Sequence, residues 1–529
     1  MRRAFLQLWY LVTAVILMFA TSPAQAGVKV LTYHNDVNRT GWNPAETILS
    51  PANVTPTTFG LKTTVPLDGL VDAQPLVVSN LRLLSSRHKT ILYAVTENDT
   101  VYAIDGDPGS GTFGTALLQN HLGTPVARGN CGHSSDTEGI LGTPTIDRTN
   151  KWLFLVALQS VNGTPTYVLH RLSLNLTETL GSPVVINPTM TLADGSAYSF
   201  QSNIVNLRQR PGLLEANGNV YAAFGGCGDR PTARGWILGW NISTLAPIGN
   251  GLMTNTIVTG NPVEYLSSVW MSGYGLAADA AGNVYAATGN SNNLVDTYQP
   301  DQNVPESVLK IAPNLQAIDD LFTDPNHFFL DQNDKDLGSG GVMLIPGTTL
   351  AIGGGKTGDL YIMNVSGPNT MMNATSVKMG PCWCGESYYT GSDGIGRVVT
   401  GAGGPNGTTV VRTWTVNSQN TVPLTSEAVS GSAESSPDDP GMFTSISSNG
   451  TVPNSQIIWG VGRPASTDGH LDLWAYNGTP AIGSLNTLVE LPAGSWKTVT
   501  RNYNGVPAVA NGIVAVGSDN ALSIFGSLP

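Results

Sequence analysis

Charge is scarce in this 529-residue chain. Only 12% of residues are Asp, Glu, Lys or Arg, and they sum to −12 at pH 7. No run of Lys and Arg could neutralise a phosphate backbone, so nucleic acid is not an expected partner. The acidic surplus alone speaks to solubility. Long apolar runs are missing as well: beyond the first 26 residues none reaches the roughly 18 that a membrane-spanning helix needs. Among seven histidines there is no HExxH pair for zinc hydrolysis. No GxSxG elbow offers a serine nucleophile, and no CxxCH offers covalent haem. Gly109–Gly114 fits GxGxxG but precedes no helix, so a dinucleotide fold is not supported. Asp331–Asp336 lacks the acidic alternation of an EF-hand loop.

Cysteine is sparse too. The four allow up to two disulfides, with three pairings open. Cys131 and Cys227 are isolated, so each needs a distant partner or stays free. Cys382 and Cys384 have only Trp383 between them, a cramped spacing for an internal bridge. The paired spacing of zinc ribbons is absent. Cys131, His133, Asp136 and Glu138 form a polar cluster, best read as a loop anchored by a disulfide.

The start of the chain is a separate module. Met-Arg-Arg, an apolar run from about Leu8 to Ala20 and Ala24-Gln25-Ala26 have the form of a cleaved secretory signal peptide over 1–26. The remainder, 27–529, is expected to be exported, periplasmic or extracellular, with no stable membrane span.

What the sequence has in abundance is turn chemistry: Gly 61 and Pro 33, between short runs of Val, Ile, Thr and Tyr. A β-branched or aromatic run, a Gly/Asn/Asp turn and a second such run recur at 90–107, 151–174, 219–241 and 283–313. They return at 349–364, 408–416, 456–477 and 512–526. Hairpins repeated at this interval predict one all-β domain, an eight-bladed β-propeller, since closing the ring removes exposed sheet edges. The 408–416 copy is the weakest, and seven blades would follow if it were an insertion. Segments 59–66 and 71–79 are expected to clasp the last blade, and Tyr33–Asn43 reads as an edge segment.

The stretch from Ser268 to Lys356 brings unusual residues to successive turns: Trp270, Asn290, Asp334 and Asp336, and Lys356. A large aromatic, an amide oxygen, a carboxylate and a cation together suit a flat anionic cofactor and a hard metal ion. Taken singly, each has an ordinary reading: a packed tryptophan, a turn asparagine, solvated carboxylates, a hairpin lysine.

In their order along the chain these residues resemble the pyrroloquinoline quinone (PQQ) dehydrogenases and the wider quinoprotein-like propellers. SSVWMSG places Trp270 where the family has the tryptophan beneath its cofactor. AATGN places Asn290 as a calcium ligand. NDKDLGSGG offers Asp336, with Asp334 second, as the base on the alcohol, and Asp336 also as a metal ligand. KTGDLYIMN offers Lys356 to the quinone oxygens, and GGCGDRPTARGW offers Asp229 as the acidic calcium ligand. The family more often has Glu at that last position, and its adjacent cysteine pair is not found here. The opening YHNDVNRTGWN is closest to exported bacterial propellers of undefined activity.

The resemblance implies a PQQ- and calcium-dependent dehydrogenase of alcohols or sugars, passing electrons to an external acceptor. The alternative is a non-catalytic exported propeller that binds a protein or glycan.

Overall fold

The computed structural model describes residues 28–127, 137–228, 233–258, 267–404, 408–434, 440–462, 469–496 and 503–529. Strands take 47% of the chain and helices 5%, in an eight-bladed β-propeller. Each blade is an antiparallel sheet whose first strand lies innermost, in contact with first strands of neighbouring blades.

Blade 1 runs Leu76–Leu83, Ser86–Val95, Thr100–Asp105 and Ala116–His121, and blade 2 starts at Thr145–Asp147. Blade 3 is built on Leu214–Ala216 and Asn219–Gly226, blade 4 on Ala277–Ala278 and Val284–Ala287, and blade 5 on Val342–Leu344 and Leu350–Gly354. Blades 6, 7 and 8 begin at Ser387–Thr390, Phe443–Ser447 and Ala508–Ala510. The middle strands are buried along nearly their whole length, as in Val284–Ala287 and Ile457–Gly462. Their sequences are therefore continuous apolar runs rather than alternating ones.

The weak sixth repeat is a full blade. Its strands Gly396–Gly404 and Thr408–Val416 pair over their whole length. Arg397, buried, ties it together through Glu427 at 2.7 Å and Asp393 at 2.8 Å. Half of Thr408–Val416 is partly exposed, which is why its apolar signal is faint.

One expectation about the start of the chain is corrected and another is extended. Only one of the two early strands clasps blade 8: Phe59–Pro66 pairs with Ala521–Ser527 as its outer strand, whereas Leu76–Leu83 is the inner strand of blade 1. Residues 28–45 do form an edge where Trp42–Asn43 pairs in parallel with Phe443–Ser447 of blade 7, but the segment reaches much further. They bond in turn to every inner strand or its lead-in, starting with Val30 to Val77 and the Leu31 carbonyl to Ile146 N–H. Thr32 and Arg39 donate to the Leu213 carbonyl, and the carbonyls of Val37, Asn38, Thr40 and Gly41 accept from Ala278, Leu344, Tyr388 and Ile446. Asn43 completes the circuit at the Val509 carbonyl, 2.7 Å away.

A segment bonded to eight inner strands must lie on the axis. Arg39, fully buried, donates to the Leu276 carbonyl at 2.6 Å and the Tyr33 carbonyl at 2.7 Å. Tyr33, His34 and Tyr274 pack ring against ring around it. This end of the channel is filled. The contacts at Ala278 and Leu344 lie at the far ends of their inner strands, so the lead-ins of those strands, at 267–276 and 336–341, form the opposite mouth.

A candidate functional site at the channel mouth

Trp270 leads into the inner strand of blade 4. Met271 (φ 41°), Ser272 (φ 47°) and Gly273 (φ 85°) then follow in left-handed conformation. Two consecutive non-glycine residues there cost about 1 kcal/mol or more each. Burial of Met271, whose sulfur accepts from Ala287 N–H at 3.2 Å, holds the turn in place. The result leaves the Trp270 indole half-buried at the mouth.

Asn290 follows the second strand of blade 4. Its backbone N–H donates to Asp336 Oδ1 at 2.7 Å. The residue as a whole is buried. The glycine before it is required by space: a Cβ on Gly289 would stand 2.7 Å from Asp336 Oδ1 and 2.8 Å from Trp270 Nε1. Thr-Gly-Asn is thus the sequence that lets a carboxylate and an indole close over the strand end.

Asp336 and Lys356 complete the cluster. Lys356 Nζ lies 2.5 Å from Asp336 Oδ2 and 2.6 Å from Asp334 Oδ1. Asp336 is 4% exposed and Asp334 60%, so the structure distinguishes the two candidate bases. Burial alone would raise the Asp336 carboxyl, but the Lys356 ammonium and the Asn290 N–H hold it below the usual carboxylate range. Burial likewise opposes the charge on Lys356, and the two aspartates outweigh it, holding the ammonium above the ordinary lysine range. The mouth therefore keeps a fixed carboxylate and a fixed cation at neutral pH.

Several groups here carry no mark in the sequence. Glu306, fully buried, accepts from Leu337 N–H through Oε2 at 2.5 Å, while its Oε1 has no partner. Burial, then Asp336 and Asp331, push its carboxyl well above the usual value. Burial also pushes Asp331 up to about 8. Arg210 lies 5.7 Å from the Trp270 ring, and Trp383 faces Lys356. The only hint of Glu306 in the sequence is a carboxylate directly ahead of the largely buried strand Ser307–Ile311.

The expected bar to a Cys382–Cys384 bridge is also corrected. The two are disulfide-bonded, with Cα atoms 5.0 Å apart, well inside the ordinary span. The chain bows outward at Trp383, so both sulfurs turn inward and are buried. Cys227 is disulfide-bonded as well. Cys131, His133, Asp136 and Asp229, the expected acidic calcium ligand, lie outside the described residues. Among the described residues no group of three or more His, Cys, Asp or Glu side chains is placed to hold a metal ion. Of the expected metal set, Asn290 and Asp336 do come together.

A groove of about 800 Å³ on the flank of blades 4 and 5 carries Asp301, Asp319, Asp320 and Asp324. The two most buried of these are already satisfied, Asp320 by Thr370 and Met371 N–H and Asp324 by Asn326 N–H and the Tyr361 hydroxyl.

No sequence-family profile matches the chain, and no curated protein sequence matches it. Solved structures do. The quinohemoprotein alcohol dehydrogenase ADHIIG of Pseudomonas putida HK5 matches with a TM-score of 0.54 at 12% identity, over 94% of this chain and 80% of that one. The computationally designed Ika8 protein gives 0.41 at 10% identity, over 87% and 98%. Sqt1 of Chaetomium thermophilum gives 0.39 at 11%, over 90% and 99%. The likeness to the first is one of fold, in keeping with the eight-bladed propeller described above.

Proposed function

We propose that the mouth binds a planar anionic quinone of the PQQ type together with calcium, and that the protein is an exported dehydrogenase of alcohols or sugars. In this reading Met1–Ala26 is its leader, 27–529 is one propeller domain, and electrons leave to an external acceptor. The supporting observation is convergence: three separate turns bring Trp270, Asn290, Asp336 and Lys356 to one place. The donor set fits the groups it would hold. The Asn290 side-chain oxygen and the ionised Asp336 carboxylate offer hard oxygens to a divalent cation. The half-buried Trp270 indole offers a flat apolar face, and Lys356 offers positive charge to an anionic edge.

Bound there, the quinone supplies the two-electron acceptor and the ion supplies Lewis acidity. The chain's own residues do the rest. Asp336, held ionised, accepts the proton of the substrate hydroxyl. Lys356 fixes that carboxylate and presents its charge to the bound anion. Gly289 keeps the carboxylate and the indole in reach of the same ligand.

The test is titration of the purified protein with PQQ, with and without calcium, following absorbance and tryptophan fluorescence. Saturable calcium-dependent binding, weakened about tenfold or more in Asp336→Asn and Lys356→Ala, supports the reading. Dye reduction with an alcohol and sugar series would then identify the substrate. No binding at high micromolar PQQ would leave a non-catalytic propeller whose partner is a protein or glycan.

A further inference from the structure

Lys356 Nζ faces two indoles, not one: Trp270 with its centroid 5.6 Å away and Trp383 at 5.1 Å. They arrive from opposite sides of the sequence, Trp270 from the lead-in of blade 4 and Trp383 from the lead-in of blade 6. Both are half-buried. Among the described residues, neither stacks on another ring and neither donates its indole N–H. Tryptophan carries more apolar surface than any other side chain, and its N–H ordinarily finds a partner once buried. Two such rings, stacked on no other ring among the described residues and both facing one ammonium, with the Arg210 guanidinium also over Trp270, form a surface prepared for a ligand.

The loop that carries Trp383 is fixed at every residue. Cys382 N–H donates to the Gly355 carbonyl at 3.2 Å, next to Lys356. Its carbonyl accepts from the Ser339 hydroxyl at 2.9 Å, and that hydroxyl also reaches the Asp336 carbonyl. Trp383 N–H donates to the Pro440 carbonyl at 3.1 Å, and the disulfide closes the loop behind the ring. The loop is therefore tied to both members of the Lys356–Asp336 pair.

We infer that Trp270 and Trp383 are the two walls of one slot, with Lys356 at its closed end. The ligand class is a planar, π-conjugated anion whose faces meet the indoles and whose charged edge meets the ammonium. The Cys382–Cys384 bond is a positioning device for the second wall. This rests on the same mouth as the proposed function but does not require redox chemistry.

The experiment uses two probes on the whole protein: PQQ with calcium, and naphthalene-2,6-dicarboxylate, which is planar and anionic but inert to reduction. Affinities are read by fluorescence for wild type, Trp383→Ala, Trp383→Phe and the Cys382→Ser/Cys384→Ser pair. Circular dichroism checks that each variant is folded. Loss of about tenfold or more for a bound probe in Trp383→Ala, partial recovery in Trp383→Phe and weakening in the serine pair are expected. PQQ binding that is the same in Trp383→Ala overturns the slot and leaves the cofactor reading intact. Dicarboxylate binding that depends on Trp383, with no PQQ binding, keeps the slot and ends the cofactor reading. Failure of both probes in wild type overturns both.

Discussion

Lys356 and Asp336 meet twice, through the ammonium and carboxylate at 2.5 Å and through the Lys356 N–H and the Asp336 carbonyl at 3.0 Å. The second contact fixes the two backbones whatever the side chains do. The charge pair can therefore be removed without separating the loops that carry it.

Lys356→Ala should cost about 3 kcal/mol at neutral pH, because Asp336 is left as a buried carboxylate without its cation. The depressed Asp336 adds stability above the usual carboxylate range and loses it as pH falls through its lowered value. The stability gap between wild type and variant should shrink as pH falls through and below the ordinary carboxylate range and widen toward neutrality. Thermal melts across that range check this. A gap independent of pH would show that the pair does not set the Asp336 charge.

Asp336→Asn in the Lys356→Ala background should restore part of that loss. The amide keeps an acceptor for Asn290 N–H and needs no cation. Additive single and double variants would mean that the two side chains are not coupled.

Gly289→Ala should damage the mouth more than the fold. Its methyl would push Asp336 Oδ1 and Trp270 Nε1 apart. Probe affinity at the mouth is expected to fall at least tenfold while the melting temperature moves by only a few degrees. Unchanged affinity would show that the close approach is not needed.

Much of this was readable beforehand, for stated reasons. Eight hairpins were visible because middle strands buried on both faces are continuous apolar runs closed by glycine and asparagine. Trp270, Asn290, Asp336 and Lys356 stood out because each is a large or polar residue at a turn that also holds glycine. Tyr33–Asn43 was legible as an edge at Trp42–Asn43, but its axial course was not, because the partners of residues 30–43 are spread from Val77 to Val509 and no local pattern records bonds at such range. Glu306 was invisible because its burial comes from the packing of Leu337 beneath it. Trp383 was invisible because its orientation comes from a disulfide across a single residue.

Glu386, just after the loop that carries Trp383, gives a further prediction. Both of its carboxylate oxygens are buried without a partner, and burial pushes it up to about 8. A carboxyl raised in the fold lowers stability as pH climbs from its unfolded value toward its folded one. Glu386→Gln should therefore be neutral near pH 4 and stabilising by on the order of 2–3 kcal/mol at pH 7. Denaturant unfolding at the two pH values decides it. Stabilisation of equal size at both would point to packing instead of proton linkage.

The axial segment has a consequence for the order in which the molecule can be made. A ribosome produces residues 30–43 hundreds of residues before their last partner, Val509. Blade 8 also waits for its own finish, because its outer strand, Phe59–Pro66, was synthesised hundreds of residues before the other three. Neither the ring nor the segment inside it can be completed by a nascent chain that has not reached its final blade. Maturation is therefore a single late event, and a chain cut short before Val509 forfeits the closure of its beginning along with its end.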